Sequence, residues 1–471
     1  MKARELHHLG MPHGPAMKLM LKAIGQGQLS RQQVRQIVPA LVSEPQRFLD
    51  DPLLGQVASE LAGHQPTAVF DKKAPLSVWG RVGEDFDQQS LEQMEQARRL
   101  PVSVAAAMMP DAHVGYGLPI GGVLAVRNAV IPYAVGVDIA CRVKLSVLDL
   151  PPDMLESEAG RDRLTRAIEK ETAFGIGSSF RKRREHPVLD EDWSVSPITQ
   201  RLKDKAWAQL GSSGSGNHFV EFGTLTIEPD TTDIALGLEP GVYLALLSHS
   251  GSRGTGAAVC DHYSRIAMES HPELPRSMRR LAWLGHDSQA GQEYWQAMNL
   301  MGKYASANHA CIHRHIQRHL GAQVLAEVEN HHNFAWKERH DFGQGEHEYI
   351  VHRKGATPAG KGTLGVIPGS MVDPCFVVRG KGGKGSIDSA SHGAGRVMSR
   401  GAARKTLRWA HVQSILRKHR VTVLSAGIDE APAVYKDIRR VMACQHDLVE
   451  PIAQFQPRLV KMAPDGERPE D

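Results

Sequence analysis

Apolar residues fall into two textures along this chain. Up to about residue 73 they recur at three- and four-residue intervals, which predicts amphipathic helices over residues 17–24, 31–42 and 53–61, separated by glycine and proline. From Ala74 the apolar runs shorten and are punctuated by glycine, the pattern of a mixed α and β domain. Strands are expected in GVLAV before Arg127, over residues 143–148, past Phe219, in the LALLS run before His249, over 365–371 and over 375–379. One long helix is expected from about Gln292 to His319, and another after Tyr435 to about Phe455. The closing GERPED has the charge of a disordered tail.

Composition narrows the class without naming a task. A chain of 471 residues, 41% hydrophobic, with 45 glycines and a net charge of +4, is globular and loop-rich. That charge is too small to prove a nucleic-acid partner, but 396–420 holds eight Lys or Arg and no acid. Five cysteines without C-x-x-C spacing argue against a disulfide framework and fit a reducing cytoplasm. The opening MKARELHHLG lacks the apolar run of a signal peptide, and no apolar segment is long enough to span a bilayer. A cytoplasmic protein with no membrane contact is the expectation.

The candidate chemistry converges on histidine. In SHGAGR, small neighbours leave His392 open to a bulky phosphate, and Arg396, Arg400, Arg404 and Arg408 recur every fourth residue. On one helix they would form a cationic stripe whose N-terminal end faces His392; a glycine-capped turn before a solvated helix is the plainer alternative. In DAHVGYG, Asp111 and His113 share a face if extended, although turn hydrogen bonding is the somewhat better explanation from the sequence. GVDIAC supplies Asp138 and Cys141, and three loop or strand ends supply His218, His249 and His332. Oxygen, sulfur and imidazole together suit one or two borderline divalent ions, although five independent structural residues would look the same. His7, His8 and His13 lack acidic or sulfur neighbours and are expected at the surface, as are His309, His313, His315 and His319 on the long helix. Lys354, in HRKGA, is a point charge for phosphate or ordinary loop surface.

PDAHVGYG, GVDIAC, GNHFVE, HSGSRG, HHNF, HRKGA, IPGSM, SHGAGRVMSR and VYKDI, in this order, resemble the RtcB family of 3′-phosphate RNA ligases. The likeness covers about residues 74–460. It implies an α+β fold with a large mixed, mostly antiparallel sheet; the helical extension 1–73, of unassigned role, and the charged tail 461–471 lie outside the likeness. It further implies a GTP- and Mn²⁺-dependent enzyme that joins RNA 3′-phosphate or 2′,3′-cyclic-phosphate ends to 5′-hydroxyl ends, in RNA repair or tRNA splicing. By that resemblance His392 becomes covalently loaded with GMP. Cys141 bridges two Mn²⁺, with Asp138 and His218 on one and His249 and His332 on the other. Asn217, Phe219, Val220, Glu221, His332, Asn333, Pro368, Gly369, Ser370, Met371, Cys375, Gly393, Ala394, Gly395, Tyr435 and Lys461 surround the nucleotide. Arg253, Lys354, Arg396 and Arg400 hold triphosphate and RNA phosphates. A monomer is expected; need for an accessory activator protein is left open.

Three positions depart from the family pattern. Arg142 follows the metal cysteine where glycine is usual, which would narrow entry or bind phosphate; Cys375 replaces a serine; Lys461 stands one place off the guanine-reading lysine. A metal-dependent phosphoesterase acting on RNA ends, and a non-catalytic RNA-binding paralogue, are the competing readings.

Overall fold

A computed structural model of the chain describes residues 2–26, 29–62, 73–229 and 235–468. Its contacts separate two compact units, residues 1–70 with 271–276, and residues 71–270 with 277–471.

The first unit is helical. Helices Pro15–Gly25, Arg31–Ser43 and Gly55–Ala62 turn Met17, Met20, Val34, Val38, Leu41, Val57, Ala58 and Leu61 into a shared core, as their spacing requires. Ser30 and Gln33 close a reciprocal capping box at the start of the middle helix. His7 and His13 stack at 4.5 Å between ring centres and are exposed.

The second unit is α+β and carries two main sheets. The larger runs Leu364–Ile367, Cys375–Gly380, Val449–Met462, Phe219–Ile227, Gly241–Ser250, Arg142–Leu148 and Val324–His331 from edge to edge. Neighbours are antiparallel throughout, except that Thr422–Ser425 pairs in parallel with Val449–Met462. The smaller sheet orders Leu76–Val78, Ser103–His113, Ile120–Val126, Glu346–Lys354 and Asn333–Asp341.

Side-chain alternation splits the large sheet into two differently packed faces. One face buries Val143, Leu145, Leu225, Leu247, Val377 and Phe455. The other buries Val220, Phe222, Leu244 and Leu246 against Ile312, Ile316 and Leu320 of helix Gln289–Leu320. Ser288 caps that helix at its start, and Gly321, left-handed at φ 62°, ends it.

Two element expectations fail here. The chain after Tyr435 is not one long helix: a short helix, Ile438–Cys444, gives way to strand Val449–Met462, whose buried apolar positions alternate instead of recurring at helical intervals. Residues expected to begin the tail complete that strand, and 469–471 lie outside the described residues. The arginine run likewise is not one helix. Residues 396–399 precede helix Arg400–Thr406, and the chain is extended at Leu407 and Arg408 before helix Trp409–His419.

Candidate active site

Strand register brings the metal candidates together. Val143 pairs with His249, which pairs in turn with Phe219, so these side chains share the apolar face, and Cys141, two residues before Val143, ends that row. Arg142 pairs with His331, which sets His332 just past the strand end on the far side of Cys141. Cys141 Sγ lies 3.1 Å from His249 Nε2 and 3.5 Å from His218 Nε2; His218 Nε2 lies 3.2 Å from Asp138 Oδ2. His249 Nε2 and His332 Nε2 are 3.3 Å apart. The donor atoms form two sets, Asp138–Cys141–His218 and Cys141–His249–His332, each within 4.8 Å, with the thiol common to both.

The surroundings prepare these atoms for cations. His218 Nδ1 is held by the Ser213 carbonyl at 2.7 Å and His249 Nδ1 by the Asn217 carbonyl at 3.0 Å, which leaves each Nε2 lone pair facing the cluster. Burial, with the neighbouring His218 adding to it, holds His249 down to about 3; burial and His392 hold His332 well below the usual imidazole range. Burial opposes ionisation of Asp138, but His218, the Cys141 hydrogen bond and the nearby Arg253 charge together outweigh it and hold the carboxyl at about 2. Neutral His249 and His332, with His218 and an ionised Asp138, around one shared thiol fit divalent metal binding. The backbone must pass very close: a Cβ at Gly251 would sit 2.0 Å from Asp138 Oδ2.

His392 stands beside this cluster, its ring centre 4.7 Å from that of His332. Asp111, fully buried, accepts from His392 Nδ1 at 2.7 Å and from its backbone N–H at 3.2 Å. Gly395, at φ 73°, lets the loop after His392 settle on strand Ser103–His113; a Cβ there would meet the Asp111 carbonyl oxygen at 2.1 Å. Sequence reasoning left Asp111 as a turn residue. The acid-x-histidine spacing was visible, but its partner lies 281 positions away. His113 turns its Nδ1 to the Asp111 carbonyl and lines the site.

Two cavities meet at His392. The first is walled by Asn217, Phe219, Glu221, Pro368, Gly369, Ser370, Met371, Cys375, Gly393, Ala394, Gly395 and Tyr435, together with His249 and His332. The second is walled by Asp138, Cys141, His218, Asn333, Lys354, Arg396 and Arg400. His113, Asn217, His332, His392 and Arg396 belong to both. Glu221 is buried, and burial pushes its carboxyl well above the usual range.

Several expected site residues lie elsewhere. Val220 points away from Phe219 and Glu221 into the core beneath the sheet. Lys461 alternates with Val460 and Met462, which line the first cavity, and its Nζ lies 5.8 Å from the Phe174 ring centre. Arg253 is buried, donating to Ser212 Oγ at 3.0 Å and the Gly175 carbonyl at 3.3 Å, and lines neither cavity. Lys354 does face the second cavity, with Nζ donating to the Tyr133 carbonyl at 3.0 Å and to that of Tyr116.

Arg142 neither narrows entry nor waits for phosphate. It is buried, ion-paired with Glu329 at 2.5 Å and donating to the Gly302 carbonyl of the long helix at 2.9 Å. His309 and His313 are buried too, contrary to the surface expectation. Ser248 Oγ lies 2.9 Å from His309 Nδ1 and 2.8 Å from His313 Nε2, and Ser146 Oγ lies 2.7 Å from His313 Nδ1. Because Ser146 and Ser248 project from the face opposite Cys141 and His249, these imidazoles brace the metal strands from behind.

Comparison with known proteins places this constellation. The family model described as tRNA-splicing ligase RtcB matches residues 93–195 and 185–462. The RNA-splicing ligase RtcB of Escherichia coli K12 is 34% identical over 422 residues, covering 81% of this chain and 95% of that relative. The tRNA-splicing ligases RtcB of Thermococcus kodakarensis and Archaeoglobus fulgidus are each 30% identical, covering 82% and 74% of this chain, and 95% and 86% of those relatives. The chain belongs to the RtcB family of RNA ligases. No helix among the described residues is long and apolar enough to cross a membrane.

Proposed function

We propose that this protein joins RNA 3′-phosphate or 2′,3′-cyclic-phosphate ends to 5′-hydroxyl ends, with GTP as the activating nucleotide and two Mn²⁺ ions as cofactors. The observation that carries this reading is the place of His392 at the junction of two cavities, one walled by Phe219, Glu221, Ser370 and Tyr435 and one lined by the metal-donor candidates and cations. Sulfur suits Mn²⁺ less well than Zn²⁺ or Co²⁺, so the choice of Mn²⁺ follows from the RtcB resemblance. When bound, such ions withdraw charge from phosphate oxygens.

The residues of the chain supply the remaining steps. Asp111 keeps the proton on His392 Nδ1, so Nε2 carries the lone pair that attacks the α-phosphorus of GTP. The P–N bond forms as pyrophosphate leaves. Transfer of GMP to the RNA 3′-phosphate breaks that P–N bond and restores the imidazole. The 5′-hydroxyl then attacks the activated phosphorus, its proton passes to solvent, and GMP departs. Glu221, buried in the wall of the first cavity, supports base recognition, while Lys354, Arg396 and Arg400 support phosphate binding in the second.

Intact-mass measurement after incubation with GTP or ATP and Mn²⁺ tests the proposal. One GMP per chain, acid-labile and lost in His392→Ala, is expected. An adduct that persists in His392→Ala, or end-phosphate release that needs no GTP and yields no joined RNA, would overturn it.

A further inference from the structure

Beside His392 lies an acidic pair that the steps above leave unused. Asp429 and Glu430 sit in the turn Ile428–Glu430, 4% and 2% exposed, and face the basic run. Glu430 accepts from Arg396 Nη1 at 3.3 Å, and it also contacts Arg400 Nη1 and the Tyr435 hydroxyl. Asp429 takes Arg404 Nη2 at 3.0 Å and a second contact from Arg400 at 3.3 Å. The Asp429 carbonyl accepts from Arg396 Nη2 at 2.7 Å. An isolated bridge between Arg396 and Tyr435 zips the two segments together.

Three guanidiniums therefore share two carboxylates. A site built only to attract phosphate would leave its arginines unpaired and solvated. Here the cationic excess is cut to about one charge, and Arg396 and Arg400 are held by a side chain that is itself buried. Burying a carboxylate is costly unless it is fully bonded, and Arg396, Arg400 and Tyr435, which all meet Glu430, each line a cavity at His392. Tyr435 faces the nucleotide cavity, Arg400 faces the second, and Arg396 faces both.

We propose that Glu430 is a positioning residue for RNA joining: it fixes the two guanidiniums that meet the RNA end and ties them to Tyr435 on the nucleotide side. This inference rests on the ligase reading above. Selectivity for a terminal phosphate then comes from placement, because fixed donors reward the one group that matches them and loose positive charge rewards any phosphate.

The test uses the full chain with Glu430→Gln, which keeps the shape and removes the charge, and Glu430→Asp, which keeps the charge and shortens the reach. Fluorescence anisotropy compares two RNA oligonucleotides that differ only in a 3′-phosphate or 3′-hydroxyl, without GTP, and single-turnover joining is measured alongside. Glu430→Gln should shrink the preference for the phosphorylated end at least ~5-fold and slow joining at least ~10-fold, without weakening total RNA affinity. Glu430→Asp should fall between it and the wild type. An unchanged preference overturns the proposal, and so does equal weakening for both oligonucleotides with a lowered melting temperature, the mark of a purely structural residue. Should the wild type join no RNA, the ligase reading fails, while the two-oligonucleotide comparison still decides the part played by Glu430.

Discussion

Asp111 and His392 are joined twice through one oxygen: Asp111 Oδ2 accepts from the imidazole Nδ1 at 2.7 Å and from the backbone N–H of the same residue at 3.2 Å. The first bond selects the tautomer, and the second fixes the loop that presents it. Burial opposes ionisation of Asp111, yet His392, Lys436 and His113 together keep the carboxyl below its ordinary range. Asp111→Asn should cut the rate of GMP loading by ~10²-fold or more, because an amide can hold the ring in the wrong tautomer. Quenched-flow intact mass would measure it, and a rate within a few-fold of wild type would show that the pairing is incidental.

Cys141 Sγ is the atom common to both metal sets. In Cys141→Ser the softer, more easily ionised donor is gone, so bound Mn²⁺ should drop from two per chain to one or none. Elemental analysis after equilibrium dialysis reads this directly. Retention of two ions in Cys141→Ser would remove the bridging role.

Lys354 gives a pH signature. Burial holds its ammonium down to about 7, against 10.5 for a free lysine. Between those values the unfolded chain binds a proton that the folded chain does not, so folding stability falls as pH drops from about 10 to about 7 and changes no further on this account below that. Lys354→Met cannot titrate. Its melting temperature relative to wild type should be highest at pH 6 to 7 and decline towards pH 10, and a pH-independent difference would contradict the buried, partly neutral lysine.

Base recognition should separate two residues of the expected nucleotide set. Lys461 lies off the cavity wall and Glu221 on it. Lys461→Ala should therefore leave the apparent KM for GTP within ~2-fold, and Glu221→Ala should raise it at least ~10-fold, as loss of a buried polar partner does. Steady-state pyrophosphate release checks both.

Local signals carried far in this chain. Short apolar runs marked the strands that carry Phe219 and His249 and the one that follows Cys141, and small-residue turns marked the loops around His392. What escaped was set by distance in the chain. Asp111 and Glu430 are short acidic signals whose partners sit far away or on a different segment, and the helix expected up to about Phe455 takes no account of Pro451, which a helix interior disfavours and the strand accommodates. His309 and His313 looked solvated because a histidine-rich helix face is polar by composition. Buried serines on an adjacent sheet satisfy them, and no spacing within the helix foretells that. Arg396 to Arg408 had helical spacing, but pairing with Asp429 and Glu430 draws Arg396 out of the helix.

Gly251 has a practical consequence for anyone wishing to alter ion preference. The Asp138 carboxylate occupies the volume a side chain would need, so any substitution at Gly251 must push that carboxylate aside and should cost the Asp138–Cys141–His218 set its oxygen donor. New metal specificities must instead be sought among the donors or in the carbonyls of Ser213 and Asn217 that aim them.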